Sequence, residues 1–284
     1  MTLRWSASFA VAGFTAVALA SFIALEVQEE LQTQELIAQA AVPAAAAAAA
    51  AAQGAVQAAP DTRDKALPPS PKAGYYAELR SKLQWVQTRM GGTMLLTPDM
   101  NSRMILAKSA ARHAGLSEVG LSFKDVYGII YAETSWVPRM GASKNGTPNL
   151  GIAQFEPATA RALGLTNPED PVEAIHVAAV HMKQAAKWSD DRLDGLKLSA
   201  DERAQKLREG VSIYYNLSTK GRNTWNGKNT EKLPRETQLH IANARSGAVE
   251  AALIDARQRV APLTRVASRA ADTVASLASA QDGS

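Results

Sequence analysis

Ser122-Phe-Lys-Asp-Val-Tyr-Gly-Ile-Ile-Tyr-Ala-Glu-Thr-Ser-Trp136 decides how the chain reads. Ser122 and Asp125 form an S-x-x-D start, the pattern that satisfies the first free N–H groups of a helix. Val126, Ile129 and Ile130 then fall on one face. Glu133 lies seven, four and three residues beyond them, so it shares that face. A carboxyl group ending an apolar stripe is poorly solvated, and desolvation disfavours its anion. The expectation is a raised pKa and an acid able to donate a proton near neutral pH. Spacing alone also admits the commoner fate of a glutamate, turned into solvent at the last helical turn.

The residues that follow add to this. Gly141 to Gly151 is rich in Gly, Asn, Ser and Pro, a turn-forming connection able to wrap a ligand. Gly151-Ile-Ala-Gln154 places one bifunctional amide among small apolar residues. Such an amide can orient hydroxyl or amide groups in a cleft, and equally can be an exposed helix residue. Pro157-Ala-Thr-Ala160 follows. Further on stand Ala178-Ala-Val-His-Met182, Tyr214-Tyr-Asn216 and Pro234-Arg-Glu-Thr237.

Taken with Tyr131-Ala-Glu-Thr-Ser-Trp136, these segments resemble, in order, the lytic transglycosylase SLT domain of the goose-type lysozyme superfamily. The resemblance runs from about residue 127 to 241. It implies a mainly α, lysozyme-like helical domain with a substrate cleft. It implies cleavage of the β-1,4 bond between N-acetylmuramic acid and N-acetylglucosamine in peptidoglycan, leaving 1,6-anhydro ends. By position, Glu133 resembles the single catalytic acid/base and Thr134 the Ser or Thr that supports it. Gln154, Tyr215 and Asn216 resemble substrate-contacting residues, and Glu236 resembles a supporting glutamate of the last motif. Three positions depart from the pattern. Ala174 stands for an asparagine, Ser218 for a glycine, and His240 for a tyrosine.

Most glycosidases need two carboxylates. Asp125 and Glu156 are nearest to Glu133 in sequence, and Asp125 is better explained as a helix cap. The resembled family uses one glutamate, so this is no obstacle. No cofactor is expected. No metal is expected either: the histidines are 113, 176, 181 and 240, and the pair 176/181 misses the i, i+4 spacing of a zinc helix. Phosphate-loop, dinucleotide and nucleophile-elbow patterns are absent from the sequence. Trp136, Trp188 and Trp225 fit a sugar-lined cleft and core packing equally well.

Around this stretch the periodicity predicts helices over 76–90, 101–114, 171–188, 203–215 and 236–257. The tail, 258–284, reads as a short docking helix or a frayed end. Residues 73–257 therefore form the domain. Ahead of it, residues 6–25 are an uncharged run just long enough to cross a bilayer, preceded by Arg4 and followed by Glu26, Glu29 and Glu30. Segment 1–25 is a membrane anchor or a removed signal peptide, since Ala18-Leu-Ala20 resembles a cleavage site. Either places the domain in the periplasm or at the periplasmic face of the inner membrane. Residues 26–72, with an unbroken alanine run from 44 to 52 and four prolines between 60 and 71, read as a low-complexity tether.

That tether explains much of the 46% hydrophobic composition without adding a core. The chain has 284 residues, and the 212 after the tether suit one domain. They carry about six excess positive charges, since the first 72 residues hold four basic and six acidic side chains. An anionic wall polymer is a fitting partner for such a surface. Nucleic acid is not expected, because no basic cluster or recognition motif accompanies the charge. The absence of cysteine excludes disulfides and thiolate chemistry. A second function class remains: a catalytically weak or inactive peptidoglycan-binding module of an envelope-spanning, conjugation or phage-entry assembly.

Overall fold

The computed structural model describes residues 74–143 and 146–281, with side chains described to residue 260. The apolar run 6–25 and the tether 26–72 lie outside the described residues. Among the described residues no helix is long and apolar enough to cross a membrane.

The domain is mainly helical. In order it comprises α1 (Tyr75–Ser81), β1 (Trp85–Met90), β2 (Thr93–Pro98), α2 (Met100–Ala114), a 3-10 turn (Leu116–Val119) and α3 (Phe123–Thr134). Two short strands, β3 (Gly141–Ala142) and β4 (Pro148–Asn149), precede α4 (Pro157–Ala162) and α5 (Pro171–Leu193). Then come α6 (Ala200–Asn216), α7 (Thr219–Arg222), a second 3-10 turn (Thr230–Lys232) and α8 (Arg235–Gln281).

The helix starts follow their caps. Ser122 caps α3 in a complete capping box, with Asp125 Oδ2 accepting from the Ser122 N–H at 2.7 Å. Ser199 and Glu202 form the same device on α6. Asp99 caps α2, and Gly115 ends it in a left-handed conformation at φ 63°.

One expectation needs correction. The helix predicted over 76–90 stops at Ser81, and its second half is β1, the first strand of an antiparallel hairpin with β2, registered Trp85 to Pro98 and Met90 to Thr93. Gly91-Gly92 supplies the two-residue turn, and Trp85, Val86, Thr88 and Thr93 prefer strands. Helical spacing of Leu79, Leu83, Val86 and Met90 masked that signal. Only Leu79 and Leu83 are buried, while Val86 is 45% exposed. Of the two readings of residues 258–284, the backbone is helical: α8 passes through Pro262 to Gln281.

The core is centred on α3. Val126, Tyr127, Ile129 and Ile130 are each at most 2% exposed. Its most extensive partner is α8. The two helices meet at small residues. A Cβ added to Gly128 would lie 2.2 Å from the Ala244 carbonyl oxygen, and one added to Gly247 would lie 2.6 Å from Tyr131 Cβ. Tyr127 spans the same interface, its hydroxyl donating to Glu250 Oε1 at 2.6 Å.

Two buried histidines stay neutral in this core. His176 Nδ1–H donates to the Val172 carbonyl at 2.7 Å, leaving Nε2 to accept from Ser109 Oγ at 2.9 Å. His181 is fully buried, and its Nε2 has no partner. Burial is the main cause that pushes both down to about 4.

Two outcomes follow. Gly128→Ala should lower stability by about 1–3 kcal/mol, the reverse of the usual gain from replacing a helical glycine, as read from urea midpoints. Stability should also fall as pH drops from about 6.5 to 4. In that window the unfolded histidines take protons that the folded ones refuse, at up to roughly 1.4 kcal/mol per pH unit each. His181→Phe should flatten that slope in denaturation runs between pH 7 and pH 4.5. An unaltered slope would refute the assignment.

Candidate active site

Glu133 sits on the last turn of α3 and is 4% exposed. The chain reverses immediately after the helix: Ser135 and Trp136 both have left-handed backbones, at φ 52° and 67°. Two adjacent non-glycine residues in that region store strain that the surrounding packing must hold. Trp136 is fully buried and its Nε1 has no partner.

The reversal returns Arg139 to the helix end. Its guanidinium donates to the Thr134 carbonyl at 2.6 Å and the Glu133 carbonyl at 3.2 Å. This closes carbonyls that a helix C-terminus leaves open and places a cation at the negative end of the dipole. Burial lowers the Arg139 pKa, and the Glu133 charge opposes that shift.

The Glu133 carboxyl meets one side chain from α8. His240 Nε2 lies 2.8 Å from Oε1, and both side chains are nearly buried, at 6% and 5% exposure. His240 Nδ1 is buried without a partner. The Tyr215 ring stacks on the imidazole, centroids 6.5 Å apart and planes inclined by 18°.

The other sequence-predicted residues surround this pair, mostly bonded to backbone. Thr134 is fully buried, and its hydroxyl donates to the Ile152 carbonyl at 2.8 Å. Gln154 is 4% exposed with φ 50°. Its Nε2 donates to the Arg139 and Gly151 carbonyls at 2.8 and 2.7 Å. Gly141 makes room for that amide, since a Cβ there would lie 2.3 Å from Gln154 Oε1. The Tyr215 hydroxyl donates to the Ala153 carbonyl at 3.2 Å. Asn216 Oδ1 accepts from Thr237 Oγ1 at 2.8 Å, which ties the end of α6 to the first turn of α8. Glu236 is exposed on that same turn, so the buried contact of its motif comes from Thr237.

Neither of the other nearby carboxylates joins the pair. Asp125 is held by Ser122 and by Arg208 Nε at 2.7 Å, and Glu156 accepts from Ser143 Oγ at 2.6 Å. Among the described residues no group of three or more His, Asp or Glu side chains could hold a metal ion. Trp136 and Trp225 are core residues, and Trp188 stacks on Trp225 at 5.7 Å.

A groove of about 400 Å³ runs beside the site between α3, α6 and α8. Ile129, one turn before Glu133, and Ile241, next to His240, line it, while Glu133 itself does not.

His240 and Arg139 were missed as functional residues by the sequence. His240 appeared only as a departure from a motif, and nothing in the spacing tied it to Glu133. Arg139 carried a usable signal, a basic residue just past a helix end. No protein-family model, curated protein or solved structure matches the chain.

Thr134→Val should cost about 1–3 kcal/mol in denaturant unfolding, because it leaves the buried Ile152 carbonyl without its donor. Thr134→Ser should restore most of it.

Proposed function

We propose that residues 74–257 form a glycan-cleaving domain acting on the β-1,4 bond between N-acetylmuramic acid and N-acetylglucosamine in peptidoglycan. The observation that carries the proposal is the Glu133 carboxyl, buried at a helix end and within hydrogen-bond reach of a histidine, while Asp125 and Glu156 are held by other partners. Single-carboxyl chemistry asks for that arrangement. Glu133 protonates the leaving oxygen while the substrate's acetamido group assists at the anomeric carbon. The ionised glutamate then takes the proton of the sugar's 6-hydroxyl, which closes on the anomeric carbon as a 1,6-anhydro ring. A site that excludes water favours ring closure over hydrolysis. The sequence motifs from Glu133 to Thr237 support the same reading, as does the domain's positive charge against an anionic wall. In this reading the domain works in the periplasm, tethered to the inner membrane or released from it, alone or within a secretion, conjugation or virion assembly.

One observation favours a second reading. The Glu133 carboxyl is nearly closed off, and the neighbouring groove does not include it. A glycan-binding module with little or no turnover would have this form.

Purified sacculi separate the two. The enzyme reading expects clearing with anhydro ends in the mass spectrum, and a loss of about 10²-fold or more in Glu133→Gln with the fold unchanged. Wild-type lysis by Glu133→Gln would exclude Glu133 as the acid. Pelleting with sacculi without clearing would establish the binding module.

A further inference from the structure

We infer that the groove between α3, α6 and α8 seats the peptide stem carried by N-acetylmuramic acid, so that the site takes stem-bearing glycan in preference to bare glycan. The inference rests on the peptidoglycan reading of Glu133 and names a further part of its substrate. Its basis is that the groove and the acid lie on one line.

α3 and α6 run side by side in the same direction. At one end Arg208 Nε meets Asp125 at 2.7 Å, and at the other Tyr215 stacks on the imidazole that faces Glu133. α8 runs the opposite way against α3, since Tyr127 reaches Glu250 while Glu133 reaches His240. Each helix lines the groove one turn away from its own site residue. Ile129 is four residues before Glu133, Ser212 three before Tyr215, and Ala244 four after His240. Residues at those spacings share a helix face. The three helices therefore carry one channel that points at the acid, with Ile129 about 6 Å of helix rise before it.

The muramic sugar bears its peptide beside the bond to be cut, so a stem leaves the site within reach of this channel. A volume of about 400 Å³ suits a short peptide. Ile129, Met182, Val211, Ile241 and Ala248 supply an apolar floor for alanine methyls. Sugar hydroxyls laid on that floor would lose water without gaining partners. Two of the polar side chains are already engaged: Asp125 with Ser122 and Arg208, and Glu209 with Gln205, Lys206 and Thr230. That leaves the Ser212 hydroxyl for a peptide amide and the exposed Asp201 carboxylate for an amine. It also leaves the exposed Arg245 guanidinium for a carboxylate, its ion pair with Glu209 being long at 3.8 Å. Arg245 stands nearer the acid and Asp201 at the far end of the groove. A stem presents its groups in the same order, the glutamate carboxylate first and the amine of its diamino acid further out.

The test uses the full-length protein with two substrates, soluble glycan strands bearing stems and the same strands stripped of stems by an amidase. Stem-bearing strands should bind about 10-fold or more tightly, and where both are cleaved the difference should lie in KM rather than kcat. Arg245→Ala, an exposed change, should cut that binding ratio by about fivefold or more. Ala248→Phe, which fills the groove, should do the same. Arg257→Ala removes a cation from the same helix outside the groove and should leave the ratio as it is. Equal affinity of the wild type for the two strands overturns the inference. An undiminished ratio in Arg245→Ala overturns it too, even if Ala248→Phe fails to fold. Absence of cleavage would remove the enzyme reading alone, because the binding ratio still decides the groove. Absence of binding to both strands would overturn both.

Discussion

Everything near Glu133 depends on how closely α3 and α8 approach. Gly128 and Gly247 contribute no side chain of their own at the crossing, and the Ala244 carbonyl occupies the space that a Cβ on Gly128 would need. Helices normally pack 8–10 Å apart, with the separation set by the side chains at the contact. The absence of a side chain at those two positions lets the backbones come close at the crossing. One turn before Ala244, His240 meets the carboxyl, and on the far side Tyr127 reaches Glu250. The pair thus sits beside a crossing opened by two missing methyl groups, neither of which touches it.

A second constraint is electrostatic. The C-terminus of α3 is the negative end of its dipole, a poor place for a carboxylate. Arg139 folds back on the last carbonyls and offsets that field while leaving the carboxyl oxygens to other partners. The left-handed backbones at Ser135 and Trp136 are what make the return short enough. Strain in the turn and charge at the helix end are two parts of one arrangement.

Much of this was legible in the residues, and the limits have physical causes. Caps and apolar spacing placed the helix holding Glu133, because its start and its buried face are written locally in Ser122, Asp125, Val126, Ile129 and Ile130. The hairpin was not legible, since four apolar residues happened to recur at helical spacing from α1 through β1, up to the Gly91-Gly92 turn. His240 was invisible as a partner because 107 residues separate it from Glu133, and only the α3–α8 crossing joins them. The roles of Thr134, Gln154 and Tyr215 followed the same rule. Their places near the glutamate were readable, but their carbonyl partners were not, because backbone acceptors look alike in every sequence.

That last point extends to how such a site can change over time. Arg139, Thr134, Gln154 and Tyr215 each hold a main-chain oxygen, at Glu133, Ile152, Gly151 and Ala153 respectively. A main-chain oxygen survives any substitution of its own side chain. The scaffold around the acid is therefore specified by its donors and indifferent to the identity of its acceptors, beyond what fits the core. Descendants of this chain could replace Ile152 or Ala153 with any residue the core accommodates and rebuild the same frame, with Gly151 kept by its φ of 71° and the nearby Pro168 carbonyl, whereas the loss of one donor would remove a bond from the frame itself.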